Sequence, residues 1–155
     1  MTGTQEIVKR YITILDSELD DPNTARKASD LRWIYDDIPF AQVGSKYPRI
    51  SVLSFGNPVE AHEVGTTRQR VTCRVEIQIR VKRVTWKKGV AGEMKYNAFL
   101  DDLGMNVIEA IRKPSSKSSL LTNEAVFHTQ LEAENTIHED DVLIKQLIYK
   151  NVFVR

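Results

Sequence analysis

Hydrophobic and polar residues alternate without interruption between Arg70 and Lys82. The apolar parity consists of Val71, Cys73, Val75, Ile77, Ile79 and Val81. The other parity is polar and mostly basic, and consists of Arg70, Thr72, Arg74, Glu76, Gln78, Arg80 and Lys82. A two-residue period that is rich in Val and Ile and free of Gly and Pro predicts a β-strand with one buried face. We expect the rest of the fold to be organised around this strand.

The predicted strand is long for a domain of this size. At roughly 3.3 Å per residue it extends about 43 Å. A compact domain of 155 residues has a diameter near ~40 Å. The strand therefore crosses the whole domain or projects from it. Because an uncovered strand edge is a template for pairing with another chain, we expect this segment to take part in self-assembly.

Before the long strand, the pattern predicts one helix and several shorter extended segments. Apolar residues spaced three and four apart predict an amphipathic helix over residues 7–19, and residues 24–30 are expected to form a loop or a short helical turn. Weak alternation indicates a short strand within residues 31–36. Residues 50–55 predict a strand, and residues 59–64 the returning strand of a hairpin. Together with the long strand, these segments predict an antiparallel meander.

After the long strand, the period changes from two to that of a helix. Residues 86–92 contain the glycines and charges of an exposed loop. Apolar residues from Tyr96 to Ile111 then lie on one helical face, and this helix is expected to be the main cover of the sheet. Pro114 and the serine-rich residues 115–119 are expected to stop the helix and form a loop.

The C-terminal third returns to β character. Residues 125–131 predict a strand, residues 132–141 an acidic connection, and residues 142–154 a second long strand. The last strand has apolar residues on both parities, which indicates burial on both faces. The order of elements predicts an α+β fold, in which helices pack on one face of an antiparallel or mixed β-sheet with a long central strand and a β-hairpin.

Length and composition limit the class of protein. The hydrophobic content of 41% over 155 residues predicts one domain spanning 1–155, with projecting hairpin or loop segments around 53–68 and 83–94. No apolar run is long enough to span a membrane, and the N-terminus lacks the basic-then-apolar order of a signal peptide. We therefore expect a soluble chain that is made in a cytoplasm and has no membrane partner.

Residue types that carry out catalysis or bind metals form no recognisable motif. The histidines, at positions 62, 128 and 138, have no short metal-binding spacing, and adjacent Asp pairs point apart on a strand or a helix. The single cysteine, Cys73, excludes an intrachain disulfide and a Cys-based zinc site. Its place on the apolar parity indicates a small buried side chain with a raised pKa. The sequence therefore predicts no catalytic, metal or cofactor site and does not indicate an enzyme.

The net charge of +1 conceals a basic concentration at the long strand. Residues 68–88 hold 8 basic and 1 acidic side chains, whereas residues 1–67 and 89–155 each hold 7 basic and 10 acidic ones. We name as the basic row the seven residues that are predicted to contact a neighbouring subunit or to face the lumen of an assembly: Arg70, Arg74, Glu76, Arg80, Lys82, Lys87 and Lys88.

Three interpretations of the basic row remain open from the residues alone. It contacts a phosphate backbone, or it contacts an acidic surface such as residues 132–141 of a neighbouring copy. In the third interpretation, it is a solvated strand face whose long side chains discourage wrong pairing. The absence of interleaved aromatic residues argues against sequence-specific nucleic-acid binding.

The order of elements resembles a known family. It comprises an N-terminal amphipathic helix, the segment Tyr47–Val52, a hairpin that ends at Glu63-Val64-Gly65, the strand that ends at Lys82, and a helix that begins near Tyr96-Asn97. Over about residues 4–155, this order resembles the tail terminator, or tail-completion, proteins of long-tailed bacterial and archaeal viruses.

The resemblance implies a virion structural protein that forms a ring, usually a hexamer, at the head-proximal end of the tail tube. Its partners would be further copies of itself, the tail tube protein and the head-closure or neck protein, and DNA would pass through without being read. The family has no catalytic residues and no cofactors to carry over. Two alternatives remain: a head-closure, neck or tail-tube subunit, and more distantly a nucleic-acid-binding module whose affinity falls steeply with salt.

Overall fold

Helices and strands follow one another along the chain. The computed structural model describes residues 4–29, 31–37, 47–55, 59–61, 69–83, 86–87, 93–121, 126–139 and 141–154. The helices are α1 (Thr4–Glu18), α2 (Thr24–Ala28), α3 (Tyr96–Arg112) and α4 (Pro114–Leu121). The strands are β1 (Ile34–Tyr35), β2 (Arg49–Phe55), β3 (Val59–Ala61), β4 (Gln69–Lys82), β5 (Trp86–Lys87), β6 (Glu93–Met94), β7 (Val126–His138) and β8 (Val142–Val154). This content confirms the predicted α+β class.

β4 is the central strand of a mixed sheet. The strand order is β1-β2-β4-β8-β7, and β3 also pairs with β4. β8 is antiparallel to β4 from Arg70 opposite Val154 to Lys82 opposite Val142, while β1 is parallel to β2. β2 and β3 occupy the other edge of β4. The expectation that the long strand offers a free edge of its own is therefore wrong, because both of its edges are paired.

β2 and β3 lie one after the other along the same edge of β4. β2 pairs with residues 74–80 and β3 with residues 69–71, both in the antiparallel sense. The predicted hairpin between these two strands is therefore wrong. β4 has 14 residues and β2 only 7, so β3 pairs with backbone groups of β4 that β2 does not reach. Whether the segments 53–68 and 83–94 project stays a prediction, since parts of both lie outside the described residues.

Pro114 ends one helix and begins another. α3 stops at Arg112, and α4 starts at Pro114 itself, so the predicted loop at residues 114–119 is wrong. Proline is well accommodated at a first helical position, because its fixed φ suits the helix and its missing N–H would have no partner there. Leu120 of α4 is buried in the core, which gives this serine-rich helix an anchor.

The acidic stretch near the C-terminus is a strand. β7 continues to His138 instead of ending at Leu131, so the predicted connection over residues 132–141 is wrong except at its end. Carboxylates along this strand find partners on neighbouring elements: Glu132 pairs with Arg74, and Glu134 pairs with Lys145. These ion pairs allow acidic residues to occupy a strand that composition alone disfavours.

Two short segments differ in detail from the predictions. Trp86–Lys87 and Glu93–Met94 pair as an antiparallel two-stranded sheet where an exposed loop was expected. The short strand predicted within residues 31–36 is confirmed as β1, but its alternation is not, because Leu31 is exposed while Trp33 and Ile34 are both buried.

The core lies between one face of the sheet and the helices α1, α3 and α4. The apolar parity of β4, predicted to be buried, is completely so. One continuous cluster joins these residues to Leu147 and Phe153 of β8 and to apolar residues of the three helices, including Leu120. The prediction that the helix over residues 96–111 covers the sheet is confirmed by its residues Phe99, Leu100, Leu103, Val107, Ala110 and Ile111, which all belong to this cluster.

A lysine crosses the core side of the sheet below α3. Lys145 of β8 is only 5% exposed, and its Nζ lies 2.9 Å from both Asp101 Oδ1 and Glu134 Oε1. Burial alone lowers the pKa of Lys145, but the hydrogen bonds to the two carboxylates outweigh burial and raise it. The stem passes over Gly104, where a Cβ would lie 2.5 Å from Lys145 Cδ. Glycine is therefore needed here for close approach.

Gly104→Ala tests this contact. At an ordinary helix position alanine is favoured over glycine by about 1 kcal/mol. Here the added methyl group displaces Lys145 from its carboxylates, so we expect the free energy of unfolding in urea to fall by about 1–3 kcal/mol. In a Lys145→Ala background the same substitution should raise it. A loss of stability in both backgrounds would contradict the contact.

Candidate functional site

Arg74, Glu76 and Arg80 of the basic row lie on the face of the sheet that points away from the core, which we name the second face. Residues directly opposite each other on neighbouring strands share a face, so the register assigns its members. From β4 they are Thr72, Arg74, Glu76, Gln78 and Arg80, from β2 Arg49, Ser51, Leu53 and Phe55, and from β8 Val142, Ile144, Gln146, Ile148, Lys150 and Val152. The five β4 residues are half-buried, in contrast to their fully buried neighbours on the core side.

Apolar side chains also line the second face. Val142, Ile144 and Val152 are buried, yet none belongs to the core cluster. Phe55 of β2 is 39% exposed, and Ile137, which lies opposite Ile144 on β7, is 41% exposed. Burial on both faces of the last strand is therefore confirmed, and the second face combines apolar with charged groups.

Arg74 forms an ion pair within its own chain. Its Nε lies 2.9 Å from Glu132 Oε2 on β7, so the pair passes across β8. This hydrogen bond raises the pKa of Arg74 and lowers the pKa of Glu132. The alternative in which the acidic stretch serves a neighbouring copy is thus weakened for Glu132, because that carboxylate is already engaged.

Glu76 is the acceptor of a polar network on the second face. Its Oε1 accepts hydrogen bonds from Gln78 Nε2 and Gln146 Nε2, both at 2.6 Å. Arg80 Nη2 donates to Gln78 Oε1 at 2.9 Å, and Asn135 Nδ2 donates to Gln146 Oε1 at 3.2 Å. Glu76 is therefore fixed by two amides and is not a direct ion-pair partner of Arg80.

The structure spreads the basic row along the whole strand. Arg70 and Lys82 are exposed at opposite ends of β4, and the 12 residues that separate them correspond to roughly 40 Å. Lys87 belongs to β5, and Lys88 lies outside the described residues. The five members of the row that belong to β4 therefore form an extended stripe along that strand and not a compact patch.

Two polar residues of the second face, Arg49 and Ser51, were not among the site residues predicted from the sequence. Arg49 is 4% exposed and Ser51 is 0% exposed, and Arg49 lies directly opposite Arg80. The Arg49 guanidinium stacks on Tyr47, with 4.9 Å from Cζ to the ring centroid. The alternation of Arg49 and Ser51 with Ile50 was a visible signal, but only the register reveals that Arg49 faces Arg80.

Residues of α2 and of the segment before it form hydrogen bonds to the backbone directly before β2. Arg26 is buried and bonds Asp21 through Nε and Nη2, both at 2.7 Å. The same Nη2 donates to the Pro48 carbonyl at 2.5 Å, and Asn23 Nδ2 donates to the Tyr47 carbonyl at 3.2 Å. The Tyr47–Pro48 peptide bond is cis. The hydrogen bonds from Arg26 and Asn23 fix the backbone directly before Arg49, where the strand begins.

The polar groups on the core side are satisfied within the core. The Tyr11 hydroxyl donates to Asn151 Oδ1 at 2.8 Å, Thr129 Oγ1 donates to the same oxygen at 3.0 Å, and Asn151 Nδ2 donates to the Cys73 carbonyl at 3.4 Å. Burial raises the pKa of Tyr11, and it raises the pKa of the Cys73 thiol to about 11. These groups act as parts of the core, as predicted for Cys73.

Three cavities in the described part of the chain, of 340, 300 and 220 Å³, have no histidine or cysteine in their lining. The cavity of 340 Å³ lies where α1 ends and is lined by Glu18, Asp20, Glu109 and Lys113, among others. No group of three His, Cys, Asp or Glu side chains in the described part of the chain is arranged to hold a metal ion. Of the three histidines, His138 is exposed, with Nδ1 3.4 Å from Arg83 Nη2, and His62 lies outside the described residues.

Comparisons with known proteins add no assignment. Neither a scan against protein-family models nor a search of curated proteins gives a match. None of the helices described in the structure has the length and hydrophobicity needed to cross a membrane. Within the described part of the chain, the second face combines charged groups with exposed apolar groups that a partner could contact.

The burial of Cys73 predicts a slow thiol reaction. Because the side chain is fully buried and its pKa is raised, almost no accessible thiolate exists at mildly alkaline pH. We expect labelling by an aromatic disulfide reagent to follow global unfolding, with rapid labelling only in denaturant as the control. Rapid labelling of the native protein would contradict the placement of Cys73 in the core.

Proposed function

We propose that this protein is a virion structural protein of the tail-terminator kind. It assembles into a ring, a hexamer as the resemblance implies, that caps the tail tube and joins the tail to the head–neck complex. The proposal begins from the resemblance over residues 4–155. The observation that carries it is the second face, where Phe55 and Ile137 are exposed and Val142, Ile144 and Val152 are buried outside the core cluster. Non-obligate protein–protein contacts likewise combine apolar with polar and charged groups.

The edges of the sheet support a head-to-tail arrangement of copies. β7 is an outer strand of 13 residues. On the other side, β1 pairs only with Ile50 and Ser51 of β2, so Val52–Phe55 have no further strand beyond them in the described part of the chain. Contacts between two unlike surfaces close into a ring when the rotation per copy divides a full turn. Pairing of strand edges is one way to make such a contact.

β7 also has features that restrict uncontrolled pairing. Its register with β8 shifts between Val126 and His128 and again between Leu131 and Ala133. Bulges of this kind bend an edge strand and limit its pairing with arbitrary strands. The edge is thus suited to a partner of matching shape, as a ring requires.

The charges of the second face favour contact with protein over contact with a phosphate backbone. Arg74 is already neutralised by Glu132, and Glu76 adds a negative charge that is fixed by Gln78 and Gln146. A surface that binds phosphates needs unpaired cations in close series, whereas Arg70 and Lys82 lie at opposite ends of β4. In the proposed ring, DNA passes transiently and without sequence recognition.

Native mass spectrometry tests the ring directly. We expect a closed species whose mass is an integral multiple of the 17.7 kDa chain, with six copies as the family resemblance implies. Addition of the tail tube protein should favour the ring if closure needs the tube as a template. A strictly monomeric protein at high concentration, both alone and with the tube, would contradict the proposal.

Substitutions on the second face should separate assembly from folding. Phe55→Glu and Ile137→Glu place a charge at exposed positions, so we expect the thermal midpoint to change little, with effects within about 0.5 kcal/mol, while the ring is lost. Met105→Glu is the matched control, because Met105 is 46% exposed on α3, away from the second face. A ring that survives both substitutions, or that is lost equally with Met105→Glu, would contradict the role of this face.

A further inference from the structure

Two arginines face each other across β2 and β4. Arg49 and Arg80 are register partners, so their Cα atoms are roughly 4.5–5.5 Å apart and their side chains leave the same face. Like charges directly opposite each other destabilise a sheet. Arg49 is also almost completely buried, and burial of a charge without a counter-charge is strongly unfavourable. The pair therefore requires a compensating group.

The hydrogen-bond donors of this pair are not used up. Arg49 Nε and Nη1, Arg80 Nε and Ser51 Oγ are buried and have no hydrogen-bond partner among the described residues. Ser51 follows Arg49 by two positions on the same face of β2, and its register partner is Gln78, two residues from Arg80. Three neighbouring side chains thus leave unsatisfied polar atoms on one small part of the second face.

Each guanidinium is oriented by a neighbour. Tyr47 stacks on Arg49, and Gln78 Oε1 accepts a hydrogen bond from Arg80 Nη2. Both contacts leave an Nε edge unengaged, and this edge is the part of arginine that matches the oxygens of a carboxylate or a phosphate. The site is therefore held in place before any ligand binds.

Two acidic residues on neighbouring parts of the fold, Glu76 and Asp21, are engaged by other side chains. Glu76, on the same face of β4, accepts hydrogen bonds from Gln78 and Gln146. Asp21, which approaches Pro48 through Arg26, binds both Nε and Nη2 of that arginine. Neither carboxylate neutralises Arg49 or Arg80.

We propose that Arg49, Arg80 and Ser51 form a binding site for a small phosphate-type oxyanion. The N–H groups of two arginines and one hydroxyl group converge on a ligand of that charge, and each unsatisfied donor gains an acceptor. The deep burial of Arg49 and Ser51 favours a small ligand over a nucleic-acid backbone, which needs an open groove. The ligand is inorganic phosphate or the phosphate group of a small metabolite. This site does not depend on the proposed ring.

The test uses the full chain in phosphate-free buffer, to which sodium phosphate, glycerol 3-phosphate or sodium chloride is added at matched ionic strength. Chloride is needed because phosphate also stabilises proteins by exclusion from their surface. We expect a saturable rise in the thermal midpoint with phosphate and a binding isotherm by calorimetry. Arg49→Met should weaken the affinity by about tenfold or more. Arg74→Met, which alters an arginine of the same face that is paired with Glu132, should leave it unchanged.

Stability without ligand gives a second readout. Arg49→Met replaces a buried charge that has no ion-pair partner among the described residues by an apolar side chain of similar length. Its midpoint in phosphate-free buffer should therefore equal or exceed that of the wild type, and phosphate should reverse the order. If this variant does not fold, Arg80→Gln and Ser51→Ala provide the same comparison. Tighter binding of glycerol 3-phosphate than of inorganic phosphate would assign the ligand as a phosphorylated metabolite, and the reverse order would assign free phosphate.

Two results would overturn the site. The first is an equal rise of the thermal midpoint with phosphate in the wild type, Arg49→Met and Arg74→Met. That result would show that phosphate stabilises the protein only because it is excluded from the protein surface. The second is binding of duplex DNA that depends on Arg49 without any binding of free phosphate, which would make the arginines a nucleic-acid contact.

Discussion

The antiparallel pairing of β4 with β8 is the constraint on which the rest of the structure depends. The two strands are paired from Arg70 opposite Val154 to Lys82 opposite Val142, so their register fixes which side chains share each face of the sheet. On one face, the apolar parity of β4 meets α1, α3 and α4 in a single core. On the other face, the same register aligns polar residues of β4 with Ile144, Gln146 and other residues of β8. A shift by one residue would exchange the two faces.

Local periodicity predicted the elements better than their partners. The alternation through Val75 and Ile77 was enough to identify β4 and its buried face, and the helical spacing after Tyr96 was enough to identify α3. By contrast, the placement of β3 beside β4 depends on which edge is vacant, and the extension of β7 depends on cations that reach Glu132 and Glu134 from other strands. Such partners are distant in the chain, so a pattern within one segment carries no information about them.

In the candidate site, too, local pattern predicted which residues share a face but not which residues they contact. The sequence placed Arg74, Glu76 and Arg80 on one face, and the structure agrees. It did not indicate that Arg74 is neutralised by Glu132 or that Glu76 is held by amides, and it missed Arg49 altogether. These contacts change the interpretation of the basic row from a continuous cationic surface to a mixed surface with one pair of facing arginines, the buried Arg49 and the half-buried Arg80. A mixed surface suits the proposed assembly, and the cationic pair suits a small anion.

The central claim is that the second face of the sheet is covered by a neighbouring copy in the assembled particle. The most direct measurement is a structure of that particle by cryo-electron microscopy. The account predicts a closed ring in which Phe55 and Ile137 are buried against the next copy while the core between the sheet and α3 is unchanged. A closed ring in which the second face remains exposed to solvent would contradict it.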